Sequence, residues 1–224
     1  MEQVLRIKEM HMSIAVSVQH VYKDFKGEEV LKDVSHDFEE GKIHGIIGNN
    51  GSGKTVLFKC ICGFMFPSKG KIYVNEEEVG KKKDFPDDLG IIIESPGFLL
   101  QFSGLKNLEI LASLKCRADT KKIIETIRRV GLDPMMKKQV GKYSMGMRQR
   151  LGIAQAIMEE PRLLILDEPM NGLDKQGVKE MRELFKGLRA EGKTIILASH
   201  NAEDIAELCD TVSEMDGGIL TVES

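Results

Sequence analysis

The stretch GNNGSGKT, Gly48 to Thr55, gathers three glycines, two asparagines, a lysine and a threonine within eight residues. A loop so poor in side chains exposes a run of backbone N–H groups able to wrap a compact anion, and the lysine points to phosphate. It fits G-x-x-x-x-G-K-[ST] at Gly48, Gly53, Lys54 and Thr55. In that reading the N–H groups of Asn50, Gly51, Ser52, Gly53, Lys54 and Thr55, with the start of the following helix, hold a β-phosphate. Val56 completes this binding set. Lys54 bridges the β- and γ-phosphates, and the Thr55 hydroxyl ligates Mg²⁺. The competing reading is a plain glycine turn.

LLILDEP, Leu163 to Pro169, sets two acids at the end of an unbroken apolar run. A buried strand ending in Asp-Glu must aim those carboxylates at something that offsets their desolvation, and a hydrated Mg²⁺ does so. Asp167 is then a magnesium partner, direct or through water, and Glu168 the base that polarises an attacking water. YSMGM, Tyr143 to Met147, followed by RQRLGIAQAI, opens a helix with a serine and a glycine. Its first turn offers unpaired N–H groups and a positive dipole end, which is a second phosphate site on a chain that needs one. Taken alone it is a capped amphipathic helix.

The elements that position these residues follow from periodicity. From Ser13 to about Phe38 the pattern is strand-like, broken by a turn at Lys26-Gly27-Glu28. KIHGIIG is a strand leading into the glycine loop, and Lys54 to Ile61 has helical spacing until Gly63 stops it. KIYVNEEEV reads as a strand ending in an acidic turn, and GIIIE at 90–94 as a buried strand. Residues 103–160 are helical. Ser103 caps one helix, Asp119 or Thr120 a second that ends at Gly131, and a third begins near Ser144. LLILD and TIILAS, with a helix over KQGVKEMRELFKGLRA between them, form βαβ units and a mostly parallel sheet, flanked by strands around TVSEM and ILTVE.

Composition bounds the rest. With 32 basic against 35 acidic residues the net charge is −3, which supplies no general pull toward nucleic acid. No apolar run approaches the roughly 18 to 20 residues that span a bilayer. Residues 1–12 read as an extension, with Met12 an equally good start, and Glu2 stands where a signal peptide needs positive charge, so the cytoplasm is expected. Cys60, Cys62, Cys116 and Cys209 lack zinc-ribbon spacing and read as buried reduced thiols.

The ordered set resembles the nucleotide-binding subunit of an ABC transporter from Ser13 onward. GNNGSGKT matches Walker A, YSMGM the signature motif, and LLILDE Walker B. NGLD, ending at Asp174, resembles the D-loop, and ASH, ending at His200, the switch histidine that contacts the γ-phosphate. Phe25 lies where such proteins stack an aromatic on adenine; its competing reading is a core aromatic.

The resemblance implies an α/β fold: a P-loop, RecA-like, mostly parallel core with an N-terminal antiparallel β subdomain and an inserted helical subdomain. One domain spans 13–224, with 13–93 and 161–224 its β-rich core and 94–160 the helical part. It also implies that two subunits, in a homodimer or heterodimer, pack head to tail. Ser144 and Gly146 of one then close over the ATP held by Gly48 to Thr55 of the other, and a separate membrane permease holds the pair at the inner face of the membrane.

Two departures stand out. Met145 and Met147 replace a glycine and a glutamine of the commoner signature, and Glu94 stands where a glutamine is usual. A carboxylate there is expected to approach Mg²⁺ and touch the nucleotide site more strongly than an amide. Glu94 and the YSMGM signature resemble the subgroup of bacitracin and lantibiotic self-protection, exporters of antimicrobial peptides, so export of such a peptide or of a drug is expected. The segment 94–108 is where a permease helix is expected to dock, on exposed Phe98, Leu99 and Phe102. The alternative is a soluble ABC ATPase of a cytosolic assembly system, such as iron–sulfur cluster biogenesis. A nucleic-acid machine would need a long coiled coil or tandem halves, and a P-loop kinase would lack the signature.

Overall fold

A computed structural model describes residues 13–114 and 119–222, so residues 1–12 and Cys116 lie outside the described residues. The described residues open with a hairpin of β1 (Ile14–Phe25) and β2 (Glu28–Glu39). Its two turn residues, Lys26 and Gly27, both have positive φ, 51° and 92°, the handedness that matches the twist of paired strands. Next come β3 (Ile43–Ile47), α1 (Lys54–Ile61), β4 (Lys69–Val74) and the two-residue β5 (Glu77–Glu78). Strands β2, β1, β4 and β5, in that order, make an antiparallel sheet.

After β6 (Leu89–Ile92) the chain enters the helical block, α2 (Gly104–Leu114), α3 (Thr120–Arg129) and α4 (Met145–Ile157). The expected caps are present. Ser103 Oγ accepts from Lys106 N–H, Asp119 from Lys121 N–H, and Ser144 from Met147 N–H. Gly131, at φ 75°, follows the end of α3 as the helix-stopping glycine. The chain returns through β7 (Leu163–Asp167), α5 (Lys175–Ala190), β8 (Thr194–Ala198), α6 (Ala202–Leu208), β9 (Thr211–Asp216) and β10 (Ile219–Val222).

The second sheet has the order β10-β9-β3-β8-β7-β6, with only the β9–β10 pair antiparallel. Its central strands are buried on both faces, which is why they read as unbroken apolar runs rather than alternation. Along β7, Leu163 and Ile165 join one core with α1 and the antiparallel sheet, while Leu164 and Leu166 join another with the helical block. Ile196 and Ile195 of β8 divide the same way. Each such side chain contributes about 1.5–3 kcal/mol by leaving water. The sheet is thus clamped from both sides, and the C-terminal ends of β3, β6, β7 and β8 open along one rim.

Three expectations need correction. The strand read at 90–94 runs from Leu89 to Ile92; Glu94 lies beyond it with φ 59°, where the chain turns toward Pro96. Phe98, expected to be exposed, is 9% accessible and packs into the core of the helical block. Its neighbours Leu99, Leu100 and Phe102 do face outward. The loop is held by buried Asn107, whose side chain accepts from Leu99 N–H and donates to the carbonyls of Leu99 and Ser103. Cys60 and Cys62 are buried as expected, whereas Cys209 is only partly so.

Candidate functional site

The glycine loop connects the end of β3 to the start of α1. Gly48, Gly51 and Gly53 hold φ of 141°, 83° and 113°, values that side chains disfavour. A Cβ on Gly48 would stand 2.1 Å from the Met215 carbonyl oxygen, so a bulkier residue cannot occupy that position without moving β9. Gly53 leaves the N-terminus of α1 without a side-chain cap and no acid lies in its first turn, so its N–H groups remain available to an anion. Ser52 Oγ is buried and meets no hydrogen-bond partner among the described residues, a second donor awaiting an oxygen. Lys54, almost fully buried, donates from Nζ to the Gly48 and Asn49 carbonyls at 2.7 and 2.9 Å, which pins its ammonium inside the loop. This cradle fits a phosphate.

At the rim, Thr55 Oγ1 donates to Asp167 Oδ2 at 2.7 Å. Two hard oxygen donors side by side at the edge of a phosphate cradle form a donor set that suits Mg²⁺. Glu168, the next residue, has φ 50° although it precedes a proline, which normally forces an extended backbone. Such a conformation costs about 1–3 kcal/mol and persists only where neighbours over-determine it. Its carboxylate Oε2 lies 2.9 Å from His200 Nδ1, and the imidazole is mostly exposed.

An open cleft of about 450 Å³ runs past the glycine loop, Asp167 and Glu168; His200 touches it only through Glu168 and is not among its lining residues. Asn50, Gly51, Gly53, Lys54, Thr55, Val56, Glu94, Asp167 and Glu168 all line it, so most of the expected binding set converges. Glu94 faces the cleft, but its carboxylate pairs with Lys59 of α1 at 2.6 Å. Phe25 is 42% exposed at the hairpin tip with Lys23 Nζ 5.2 Å from its ring centroid, which rules out a core role; Val30, not Phe25, lines the cleft from that hairpin.

Ser144 and Gly146 are not among the residues lining the chain's own cleft. Ser144 is exposed at the N-terminus of α4, and Met145 reaches the cleft in its place. Asp174 caps α5, accepting from Gly177 N–H at 2.7 Å. One residue that the motifs did not single out is Gln149, which lines the cleft and donates to the Glu168 and Pro169 carbonyls. Its acceptors are backbone atoms 19 and 20 positions away, so spacing carries no signal of them.

A family model described as ABC transporter matches residues 31–171, more than half of the chain. The chain belongs to the ABC transporter family. This ABC chain is an ATPase. It is 42% identical over 205 residues to an uncharacterized ABC transporter ATP-binding protein, YybJ, of Bacillus subtilis (strain 168), covering 92% of this chain and 94% of that one. It is 38% identical to the bacitracin transport ATP-binding protein BcrA of Bacillus licheniformis, covering 95% and 70%. The ATP-binding cassette MJ0796, solved as a dimer in a post-hydrolysis state bound to ADP and Pi, superposes with a TM-score of 0.82 at 23% identity, over 93% of this chain and 97% of that one. At that identity the likeness speaks for the fold, an ABC cassette. Among the described residues no helix is long and apolar enough to cross a membrane.

Proposed function

We propose that this ABC ATPase closes as a head-to-tail dimer on two ATP molecules and, through hydrolysis, drives a separate membrane permease that exports an antimicrobial peptide. The observation that carries the reading is a division of the chain's phosphate-binding parts. Asn50, Gly51, Gly53, Lys54 and Thr55 of the glycine loop line the cleft with Asp167 and Glu168, while Ser144, exposed on an N-terminal helix turn, is not among the residues lining it. A second copy of this chain, or a homologous subunit, supplies the missing wall.

Within the closed site, Lys54 and the loop N–H groups take the β- and γ-phosphate oxygens. Thr55 and Asp167 would hold Mg²⁺, which neutralises phosphate charge when bound. Glu168 orients a water whose oxygen bonds to the γ-phosphorus as its proton passes to the carboxylate. The bond from that phosphorus to the β–γ bridging oxygen breaks, and the products are ADP and inorganic phosphate. His200 steadies the Glu168 carboxylate and reaches toward the γ-phosphate. Contacts from both subunits to that phosphate, each worth about 1.5–3 kcal/mol, hold the dimer shut, and hydrolysis removes several together.

The peptide-export reading is supported by the likeness to a bacitracin transport protein and by Glu94 in the loop after β6. The outward Leu99, Leu100 and Phe102 of that loop offer the permease an apolar seat. Ser144→Arg tests the geometry. It should abolish the ATP-dependent dimer of a Glu168→Gln protein in light scattering while leaving nucleotide binding to the monomer intact. A dimer unaffected by the arginine would refute the head-to-tail arrangement.

A further inference from the structure

The left-handed Glu168 sits directly before Pro169, and its carboxylate is the base of the proposed reaction, so what holds its backbone decides where the base points. Three groups do. Its N–H donates to the Ala198 carbonyl at 3.0 Å, and its own carbonyl accepts from Asn171 N–H at 3.1 Å and from Gln149 Nε2 at 3.2 Å. The same Gln149 nitrogen donates to the Pro169 carbonyl at 2.8 Å. Both acceptors are carbonyls, so the amide must present its NH₂ group here, one proton to each. Gln149 therefore fastens two successive peptide units of the strained turn to α4.

That helix is the one whose first turn carries Ser144, and Met145, one turn before Gln149, lines the same cleft. We infer that Gln149 is a positioning residue for Glu168, tying the base to the helix whose N-terminus meets the partner's nucleotide. The inference rests on Glu168 being the base.

Gln149→Met keeps the length and packing of the side chain and removes both donors. In the full-length chain, with Mg²⁺ and ATP, it should lower kcat by on the order of ten- to a hundredfold, the cost of an ångström-scale misplacement of a catalytic group. KM for ATP and the melting temperature should stay near those of the parent. In a Glu168→Gln background, where residual hydrolysis is followed with labelled ATP, the same change should have no further effect, because it acts through the carboxylate. Gln149→Glu, which turns oxygen toward the two carbonyls, should be at least as slow as Gln149→Met. If Glu168→Gln halts turnover but Gln149→Met leaves kcat unchanged, this inference falls and the base assignment stands. A fall in kcat that tracks a lower melting temperature, or that recurs in full on the Glu168→Gln background, overturns it as well. Undiminished turnover in Glu168→Gln itself would remove the base assignment and, with it, the premise.

Discussion

Thr55 Oγ1 donates to Asp167 Oδ2 at 2.7 Å, so a hydroxyl in the first turn of α1 meets a carboxylate at the end of β7, 112 positions further along the chain. Neither residue is fully buried, and both line the cleft. The pair is the meeting point of the two motifs, and it exists because β3 and β7 run parallel with one strand, β8, between them.

Thr55→Val keeps the shape and deletes the donor. We expect the Mg²⁺ concentration needed for half-maximal ATPase activity to rise by on the order of 10- to 100-fold, with stability falling about 1.5–3 kcal/mol as a charged acceptor loses its partner. Thr55→Ser should restore most of both. Magnesium titration of turnover, beside denaturant unfolding, checks it; a valine variant with unchanged magnesium dependence would exclude Thr55 as a ligand.

Phe25 is available to stack on a base because it is half exposed at a hairpin tip and contributes little to either core. Phe25→Ala should weaken nucleotide binding by roughly 1–3 kcal/mol, the range measured for aromatic stacking on a base. Its melting temperature should barely move. Calorimetric titration with a non-hydrolysable ATP analogue decides it, and equal affinity in the alanine variant would retire the adenine-stacking role.

Arg182 of α5 is 6% exposed and donates from Nε and Nη2 to Asp204 Oδ1 at 2.9 and 2.6 Å, and from Nη1 to Glu203 and Glu207. Burial opposes its charge, but the hydrogen bonds to Glu203 and Asp204 outweigh that and hold the guanidinium firmly protonated. The other Asp204 oxygen accepts from Ser199, whose hydroxyl in turn accepts from Asn201 N–H beside His200. Arg182→Leu leaves a buried carboxylate unpaired and should cost about 3–5 kcal/mol. Denaturant unfolding reads it, and a loss below 1 kcal/mol would show the cluster to be a surface pair in energetic terms.

The same cluster shows where sequence reading stops. The parallel strands and α1 were legible because burial on both faces turns β3, β7 and β8 into apolar runs, and because the glycine loop punctuates them. Helix α6 leaves no such signal. It has only seven residues, three of them the acids Glu203, Asp204 and Glu207, and its stabilising partner Arg182 is over twenty positions away. The burial of Phe98 is hidden for a related reason: an apolar residue in a loop reads as exposed, because nothing in the sequence shows Asn107 folding that loop inward. Most of the residues that line the cleft could be read from the motifs, but the left-handed turn at Glu168 and its brace by Gln149 are tertiary facts.

Stability should fall on the alkaline side for a specific reason. Burial pushes the thiols of Cys60 up to about 11 and of Cys62 and Cys209 to about 12, from an ordinary value of 9.0. Above pH 9 the unfolded chain releases thiol protons that the native chain keeps, so unfolding is favoured as pH rises, by up to about 1.4 kcal/mol per pH unit for each thiol. The contribution is intact below pH 9 and is lost between pH 9 and 11 to 12. Denaturant unfolding from pH 8 to 10.5 should show this slope in the parent, and a shallower one in Cys60→Ala/Cys62→Ala. In Cys116→Ser/Cys209→Ser protein at pH 8, the two buried thiols, Cys60 and Cys62, should resist a thiol reagent until the chain unfolds. Rapid labelling of the native protein would mean that these sulfurs are reached by water, and the alkaline slope would then need another source.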